Sequence, residues 1–339
     1  MAGATWRIRL SSSATTEPAA HRRSPGASTD PVRRAAVLLQ ILANALALGA
    51  AYALLSLGFV LILNATGAVN FAHGDMVMAG GYVAIAFFSL VDVPGAALLP
   101  LVVVTMAALG FVFSWFAYFP LRNRPAVSVF ISTIALGIVF QNSANAIFGA
   151  EPRKGPPLLG EGSFAFAGIT VGSQALAIVA VAAVLILAQH LLLNRTGLGR
   201  KLRATAQDRP MAEAIGIPVN RMIALTFALG SALAGAAGLM LSNTFFIVPT
   251  DGTNYVIKAY IAVTIGGWGS LPGAVCGALI IALFEVLFPS LPLLMPGLGR
   301  FVPWLFTQTM SAILLYVALL FIMFFRPQGL FGETIQRRA

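Results

Sequence analysis

Long runs of apolar residues follow one another almost without a break from residue 36 to residue 325. A membrane-spanning helix needs about 20 such residues, and only helices can satisfy the backbone over unbroken runs of this length. Only 9% of the 339 residues are charged, which is too few to cover a water-soluble surface. We therefore predict an all-α fold, a polytopic integral membrane bundle of about eight to ten membrane segments. The candidate spans are 36–63, 70–91, 96–120, 126–148, 174–194, 222–246, 256–288 and 301–325.

Basic residues are concentrated in a few places outside these runs, and the chain carries a formal net charge of +10. They lie in the N-terminal tail, at Arg122 and Arg124, in the segment 195–221 and at the C-terminus. Because Lys and Arg accumulate on the cytoplasmic side of a bilayer, we place the 195–221 loop in the cytoplasm. The basic residues are not interleaved with exposed aromatics as a nucleic-acid surface requires, so no nucleic-acid partner is predicted and membrane lipid is the expected surrounding.

Composition also sets the expected domain boundaries. Residues 1–35 are rich in Ser, Thr, Pro and Arg with little apolar periodicity, which predicts a disordered basic tail. Residues 36–328 form one transmembrane domain, and residues 329–339 form a cytoplasmic C-terminal tail. A single cysteine, Cys276, excludes a disulfide within the chain, and three scattered histidines give no metal-ligand spacing.

Counting spans outward from the basic loops predicts an interruption in each half. If both termini are cytoplasmic, one apparent span per half must be broken, re-entrant or doubled. The sequences suited to this are the polar, Gly-containing stretches 64–75 and 266–273. Paired interruptions in two halves are typical of a translocation pathway, because non-helical backbone at membrane depth needs protein or water around it. The alternative is a pair of ordinary loops between short helices.

Polar residues within or beside the apolar runs are the candidates for lining the pathway or bracing the helices around it. A charge at the bilayer centre costs roughly 2.5–3.5 kcal/mol on insertion scales, so such a side chain faces protein or water. His73 and Asp75 lie beside the first interruption and are two positions apart, so they point to different sides of a helix, and for them we favour a bracing role. The candidates are Asn70, His73, Asp75, Lys258, Gly266, Gly267, Gly269, Ser270 and Glu285.

The loop 199–218 is polar but patterned. Asp208 is a suitable N-cap, Pro210 fits a first helical turn and Gly216 is a natural stop, which predicts a short helix over 209–215. This helix would present Ile215 together with Met211 or Ala212 on one side. A short amphipathic helix on the cytoplasmic side fits a docking element for a soluble partner, and a plain basic connector is the alternative.

Four motifs in order resemble the permeases of branched-chain amino acid ABC importers, over about residues 40–332. They are Val69-Asn-Phe-Ala-His-Gly-Asp-Met-Val-Met-Ala-Gly-Gly-Tyr-Val83; Gly199-Arg-Lys-Leu-Arg-Ala-Thr-Ala-Gln-Asp208 with Gly216-Ile217; Lys258 with Gly266-Gly-Trp-Gly-Ser-Leu-Pro-Gly-Ala274; and Phe325-Arg-Pro-Gln-Gly-Leu-Phe-Gly332. The Asn-Phe-Ala-His-Gly form resembles the first of the two permeases in such systems.

The resemblance implies a set of partners in the inner membrane and on both sides of it. These are a second related permease, two cytoplasmic ATPases and an extracytoplasmic solute-binding protein. The chain has no Gly-x-x-x-x-Gly-Lys-Ser/Thr loop, so it is expected to be a non-enzymatic subunit without a cofactor, with ATP and Mg bound by the partner ATPases. The residues assigned to the ATPase-docking loop are Arg203, Ala206, Asp208, Ala212, Ile215, Gly216 and Ile217.

Some residues depart from the family pattern and leave the solute open. Trp268 is bulky for a position between glycines, and Asp75 stands where Glu is common. Related permeases move urea, short amides or other amino acids. The competing interpretations are a sugar or nucleoside ABC permease of the same superfamily and an ion-coupled secondary transporter. The second of these would have no need of a patterned cytoplasmic loop.

Overall fold

A computed structural model describes residues 31–91, 93–160, 162–166, 169–295, 302–326 and 328–331. Its described part is built from α-helices with one small antiparallel hairpin. The helices are α1 Pro31–Thr66, α2 His73–Leu90, α3 Gly95–Ala117, α4 Ala126–Phe148, α5 Ser173–Arg195, α6 Gly197–Gln207, α7 Arg209–Ala214, α8 Val219–Thr244, α9 Gly252–Gly266, α10 Leu271–Leu294 and α11 Gln308–Phe325. The strands are β1 Ser163–Phe166 and β2 Ile169–Gly172, and single 3-10 turns lie at Phe119–Leu121 and Pro303–Phe306.

Seven helices in this described part are long and apolar enough to cross a membrane: α1, α3, α4, α5, α8, α10 and α11. The shorter helices α2 and α9, of 18 and 15 residues, pack inside the same bundle. The seven long helices together with α2 and α9 make nine segments in the described chain, within the predicted range of about eight to ten. The predicted polytopic helical bundle is confirmed. The hairpin is an addition that the sequence did not predict.

Helices α1 and α8 form the centre of the bundle. Both are mostly buried, and α1 packs against α10, α8 and α5, while α3 and α2 cover α8. Helices α4, α5 and α11 expose most of their apolar side chains at the surface of the bundle, as expected for helices that face lipid. At 1.5 Å per residue the 36 residues of α1 span about 54 Å, more than the roughly 30 Å apolar core of a bilayer.

The direction of α1 corrects one assumption of the span count. Its middle residues Ala47 and Leu48 line a cavity with the start of α5 and the end of α8, so the first turns of α1 extend further toward that end of the bundle. Its last turn instead contacts Arg209 of the basic loop, where the carbonyl of Ala65 accepts a hydrogen bond. Helix α1 therefore starts at the face of the bundle opposite the 195–221 loop, and the assumption that both termini share one face is wrong for the described chain.

The two predicted interruptions have different consequences. The predicted span 256–288 is two helices, α9 and α10, which supplies the extra crossing in the second half and returns the chain to the basic face at Arg326. The first interruption, residues 67–72, separates α1 from α2 and adds no crossing. Of the predicted disordered tail, residues 31–35 are helical, whereas 1–30 lie outside the described residues, as do 332–339 of the C-terminal tail.

Close helix contacts depend on glycine, because residues without a large side chain let membrane helices approach each other closely. A Cβ added to Gly238 of α8 would meet the Val77 carbonyl oxygen of α2, and one added to Gly273 of α10 would meet the Gly266 carbonyl of α9. Backbone stands directly against backbone at both points, so neither neighbour can move aside.

Gly238→Ala should lower the free energy of unfolding by about 1–3 kcal/mol, the usual cost of overpacking a tight core. The added methyl would also lie 2.8 Å from the Gly81 amide nitrogen. Thermal unfolding of the purified chain in detergent measures the change. Gly197→Ala is the matched control, because a Cβ at that exposed site meets only the tip of Arg200 at 3.8 Å. Equal melting temperatures for both variants would contradict this packing.

Candidate functional site

The first interruption is a compact, hydrogen-bonded turn. Helix α1 ends at Thr66 and is followed by Gly67, whose φ of 64° is left-handed and whose amide donates to the Leu63 carbonyl at 2.8 Å. Asn70 follows, with its side-chain oxygen accepting from the Ala72 amide at 3.1 Å, just before α2 begins. The chain thus supplies its own partners for backbone groups that the helix no longer pairs.

The second interruption uses two left-handed glycines and a cap. Gly267 and Gly269 have φ of 111° and 82°, and the Ser270 hydroxyl caps α10 by accepting from the Gly273 amide at 3.1 Å. Between the glycines, Trp268 is partly exposed and meets the Tyr260 ring edge-on, with centroids 5.5 Å apart. A bulky side chain is therefore accommodated here because it points away from the close α9–α10 contact.

The two interruptions lie against each other. The Asn64 side-chain amide donates to the Gly269 carbonyl at 2.9 Å, which joins the end of α1 to the α9–α10 turn. The C-terminal motif also reaches this point, because the amides of Leu330 and Phe331 donate to the carbonyls of Ile265 and Gly266 at 2.8 and 2.9 Å. Two of the four sequence motifs therefore meet at one position in the fold, beside the end of α1.

His73 and Asp75 point to different sides of α2, as their spacing predicts. The His73 ring is fully buried beside α1, with Nε2 3.0 Å from the Leu55 carbonyl. The Asp75 carboxylate is turned toward α4, where Gln141 donates to it at 2.8 Å, and it also fills the space left by Gly252 at the start of α9. Both side chains connect helices, and this geometry favours bracing for the pair.

Lys258 and Glu285 form an ion pair between α9 and α10, with Nζ 2.8 Å from Oε1. Tyr52 of α1 accepts a hydrogen bond from the Lys258 ammonium and donates to Glu285 Oε2 at 3.1 Å. Gln308, the first residue of α11, donates to Glu285 Oε1 at 3.0 Å. This Tyr52–Lys258–Glu285–Gln308 cluster joins four helices, and it neutralises a carboxylate whose side chain is only 9% exposed.

A cavity of about 430 Å³ lies next to this cluster, at the end of the bundle away from the basic loop. Ala51 and Val286, sequence neighbours of Tyr52 and Glu285, are part of its wall. Most of the lining is apolar, and polar groups come from Asn44, Gln174 and Thr244. Such a lining can accept a small aliphatic group while a few polar atoms fix its orientation.

The basic loop folds into two short helices where one was predicted. Helix α6 was missed because its polar sequence has no long apolar run, although Thr196 caps it by accepting from the Gly199 amide at 3.0 Å. Helix α7 has the predicted form: Asp208 caps it by accepting from Met211 at 3.0 Å, and Gly216 follows it with a φ of 81°.

One side of the exposed surface of α7 is apolar. Met211 and Ile215 are 60% and 68% exposed and lie four residues apart, so they share one side of the turn. Ala212, which the sequence assigned to the docking loop, is only 2% exposed and lies on the buried side of α7. Arg203, Asp208 and Gly216 are exposed, whereas Ala206 and Ile217 are half-buried, the latter against the core.

The candidate residues therefore form three groups instead of one site. The interruptions, with Asn70 and residues 266–270, lie near the basic face; the cluster around Glu285 lies beside the cavity; and the docking residues lie on α6 and α7. Sequence reasoning missed Asn64, Tyr52, Gln308 and Arg209, all of which connect elements far apart in the chain. A buried tyrosine or an asparagine at a helix end gives no signal of its partner before the fold is known.

Comparison with known proteins agrees with these features. The family described as "Branched-chain amino acid transport system / permease component" matches residues 41–323. The chain is 30% identical over 309 residues to the permease protein BraD of a high-affinity branched-chain amino acid transport system in Pseudomonas aeruginosa, covering 87% of this chain and 96% of that protein. The corresponding protein LivH of Escherichia coli is 33% identical over 264 residues, with 74% and 85% covered.

A ribose import permease of Bacillus subtilis, RbsC, also matches, at 30% identity over 174 residues, but only 48% of this chain and 52% of that one are covered. The class defined by fold and sequence is thus a multi-pass membrane permease. The chain belongs to the family of branched-chain amino acid transport system permease components.

Glu285→Gln should destabilise the chain because it leaves the Lys258 ammonium without its counter-charge. The expected loss is on the order of 2 kcal/mol, below the cost for a fully buried pair since the Lys258 side chain is 25% exposed. Thermal unfolding measures it, with the double variant Lys258→Met/Glu285→Gln as the control. The double variant should regain part of the lost stability, and a double variant less stable than the single one would contradict the pairing.

Proposed function

We propose that this chain is the membrane-spanning permease of an inner-membrane ABC importer for branched-chain amino acids, and that it works with a second permease. In this proposal two cytoplasmic ATPases dock on the coupling loops of the two permeases, one of them on α6 and α7 of this chain, and an extracytoplasmic binding protein delivers solute to the opposite face. The observation that carries the docking part is the exposed apolar pair Met211 and Ile215 on a capped helix at the basic face. Lipid does not explain this pair, because it belongs to a polar loop.

The proposed mechanism makes use of this arrangement of the groups. ATP binding would close the ATPase dimer and move α7, and this movement would tilt the helices around the two interruptions. The solute path would then open alternately toward each side. The Tyr52–Lys258–Glu285–Gln308 cluster would hold α1, α9, α10 and α11 together at the outer end while the basic end moves.

The proposed solute is supported by the family and by the cavity beside the cluster. Its mostly apolar lining suits an aliphatic side chain, and the polar groups of Asn44, Gln174 and Thr244 are positioned to contact a charged or polar head. Urea has no aliphatic group to bury there. Leucine uptake in vesicles that contain the complete complex should therefore exceed urea uptake.

Replacing both Met211 and Ile215 by Ser should release the ATPase that docks on this chain, since it removes the apolar contact while leaving the Asp208 cap of α7 intact. Co-purification of the tagged chain from its native membrane measures this. The second permease should still be recovered. Leu159→Ser, at an apolar residue of similar exposure (57%) beyond α4, is the control. Full ATPase recovery with the double variant would contradict docking at α7, and no ATPase with the unaltered chain would favour ion-coupled transport.

Ala175→Trp should reduce leucine uptake to near background while ATPase recovery stays normal, because the indole would fill the cavity. Ala175 is half-buried in the cavity wall on α5. The adjacent Leu176 is 48% exposed and outside the wall, so Leu176→Trp is the matched control. Radiolabelled leucine uptake by reconstituted vesicles gives the measurement. Equal uptake by the two variants would remove this cavity from the solute path.

A further inference from the structure

One arginine of the basic loop is bonded to two membrane helices. Arg209, the first residue of α7, donates through Nη2 to the Ala65 carbonyl at 2.6 Å and through Nη1 to the Tyr118 hydroxyl at 3.0 Å. Its guanidinium also lies over the Tyr118 ring, 6.0 Å from the centroid. Ala65 is in the last turn of α1, and Tyr118 follows the last residue of α3. We call these two hydrogen bonds the Arg209 bridge.

The acceptors suit a fixed cation. The last carbonyls of a helix have no partner within it and carry the negative end of the helix dipole, so a cation at Ala65 is favourable. Tyr118 is 3% exposed and packs against Phe227 of α8, so its hydroxyl is held in place. A planar guanidinium can address two acceptors in different directions at once, which a lysine ammonium on a flexible stem does less well.

The Arg209 bridge continues into the interruptions. Asn64, the neighbour of Ala65, donates to Gly269, and the residues before Gly269 accept from the C-terminal segment. A continuous series of hydrogen bonds therefore runs from α7 through the end of α1 to the α9–α10 turn. Moving α7 as a rigid body would displace the end of α1 first, and the second interruption with it.

We infer that Arg209 is the positioning residue that transmits movement of the docking helix to the interrupted helices. This inference rests on the proposed function, since it assumes that ATPases act on α7. Arg209 contacts neither solute nor nucleotide in this role. It determines how much transport each cycle of ATP hydrolysis produces.

The test is the ratio of leucine taken up to ATP hydrolysed in vesicles that contain the complete transporter. Arg209→Lys should keep the ATPases bound and hydrolysis near normal. The ratio should fall by roughly tenfold, the equivalent of one charge-assisted hydrogen bond. Tyr118→Phe, which removes one acceptor and keeps the ring, should lower the ratio less. Arg124→Lys is the matched control, because the exposed Arg124 side chain bonds to no other described residue, and it should leave the ratio unchanged.

Each other outcome has a definite meaning. The inference would be overturned if Arg209→Lys and Tyr118→Phe left the ratio of leucine uptake to ATP hydrolysis unchanged. A parallel fall of uptake and hydrolysis counts as an unchanged ratio. Loss of ATPases from the Arg209→Lys complex would also overturn it, since Arg209 would then be part of the docking surface itself, and the proposed function would stand. If the unaltered chain recovers no ATPase, the proposed function fails, and that failure is visible without any variant.

Discussion

Backbone that leaves a helix inside a membrane bundle must find partners in the protein, and the fold around both interruptions follows from that requirement. The Gly267–Ser270 turn receives the Asn64 side chain from one side, and the amides of Leu330 and Phe331 reach the preceding carbonyls from the other. The C-terminal motif thus has a physical reason to accompany the Gly-Gly-Trp-Gly motif. Each supplies hydrogen bonds that the other lacks.

These partners are brought together by α1, which is buried along most of its length and contacts elements from both halves of the chain. Tyr52 joins it to the charged cluster, Leu55 to His73, and Ala65 to the basic loop. Any tilt of α1 would change the cluster, the α2 contact and the end of α3 together. A central helix with polar contacts at several heights is suited to act as one moving part.

Much of this arrangement could be predicted from patterns that are local in sequence. The apolar runs predicted the helices, and the polar, Gly-containing stretches predicted the interruptions. Asp208, Pro210 and Gly216 predicted the bounds of α7 to within one residue. Contacts between distant residues could not be predicted. No local pattern identifies Glu285 as the partner of Lys258, and the burial of Ala212 depends on what packs under α7. The start of α1 was predicted on the wrong face, because that prediction rested only on the tendency of arginines to stay on the cytoplasmic side.

The odd number of segments in the described chain has a practical meaning for experiments on sidedness. The first turns of α1 and the residues that follow α11 lie at opposite faces of the bundle. In a sealed vesicle, an impermeant reagent added outside would therefore reach only one of these two ends of the described chain. A mixed population of vesicles could be sorted by which end reacts, and the fraction inserted in each direction would be known before any flux is interpreted.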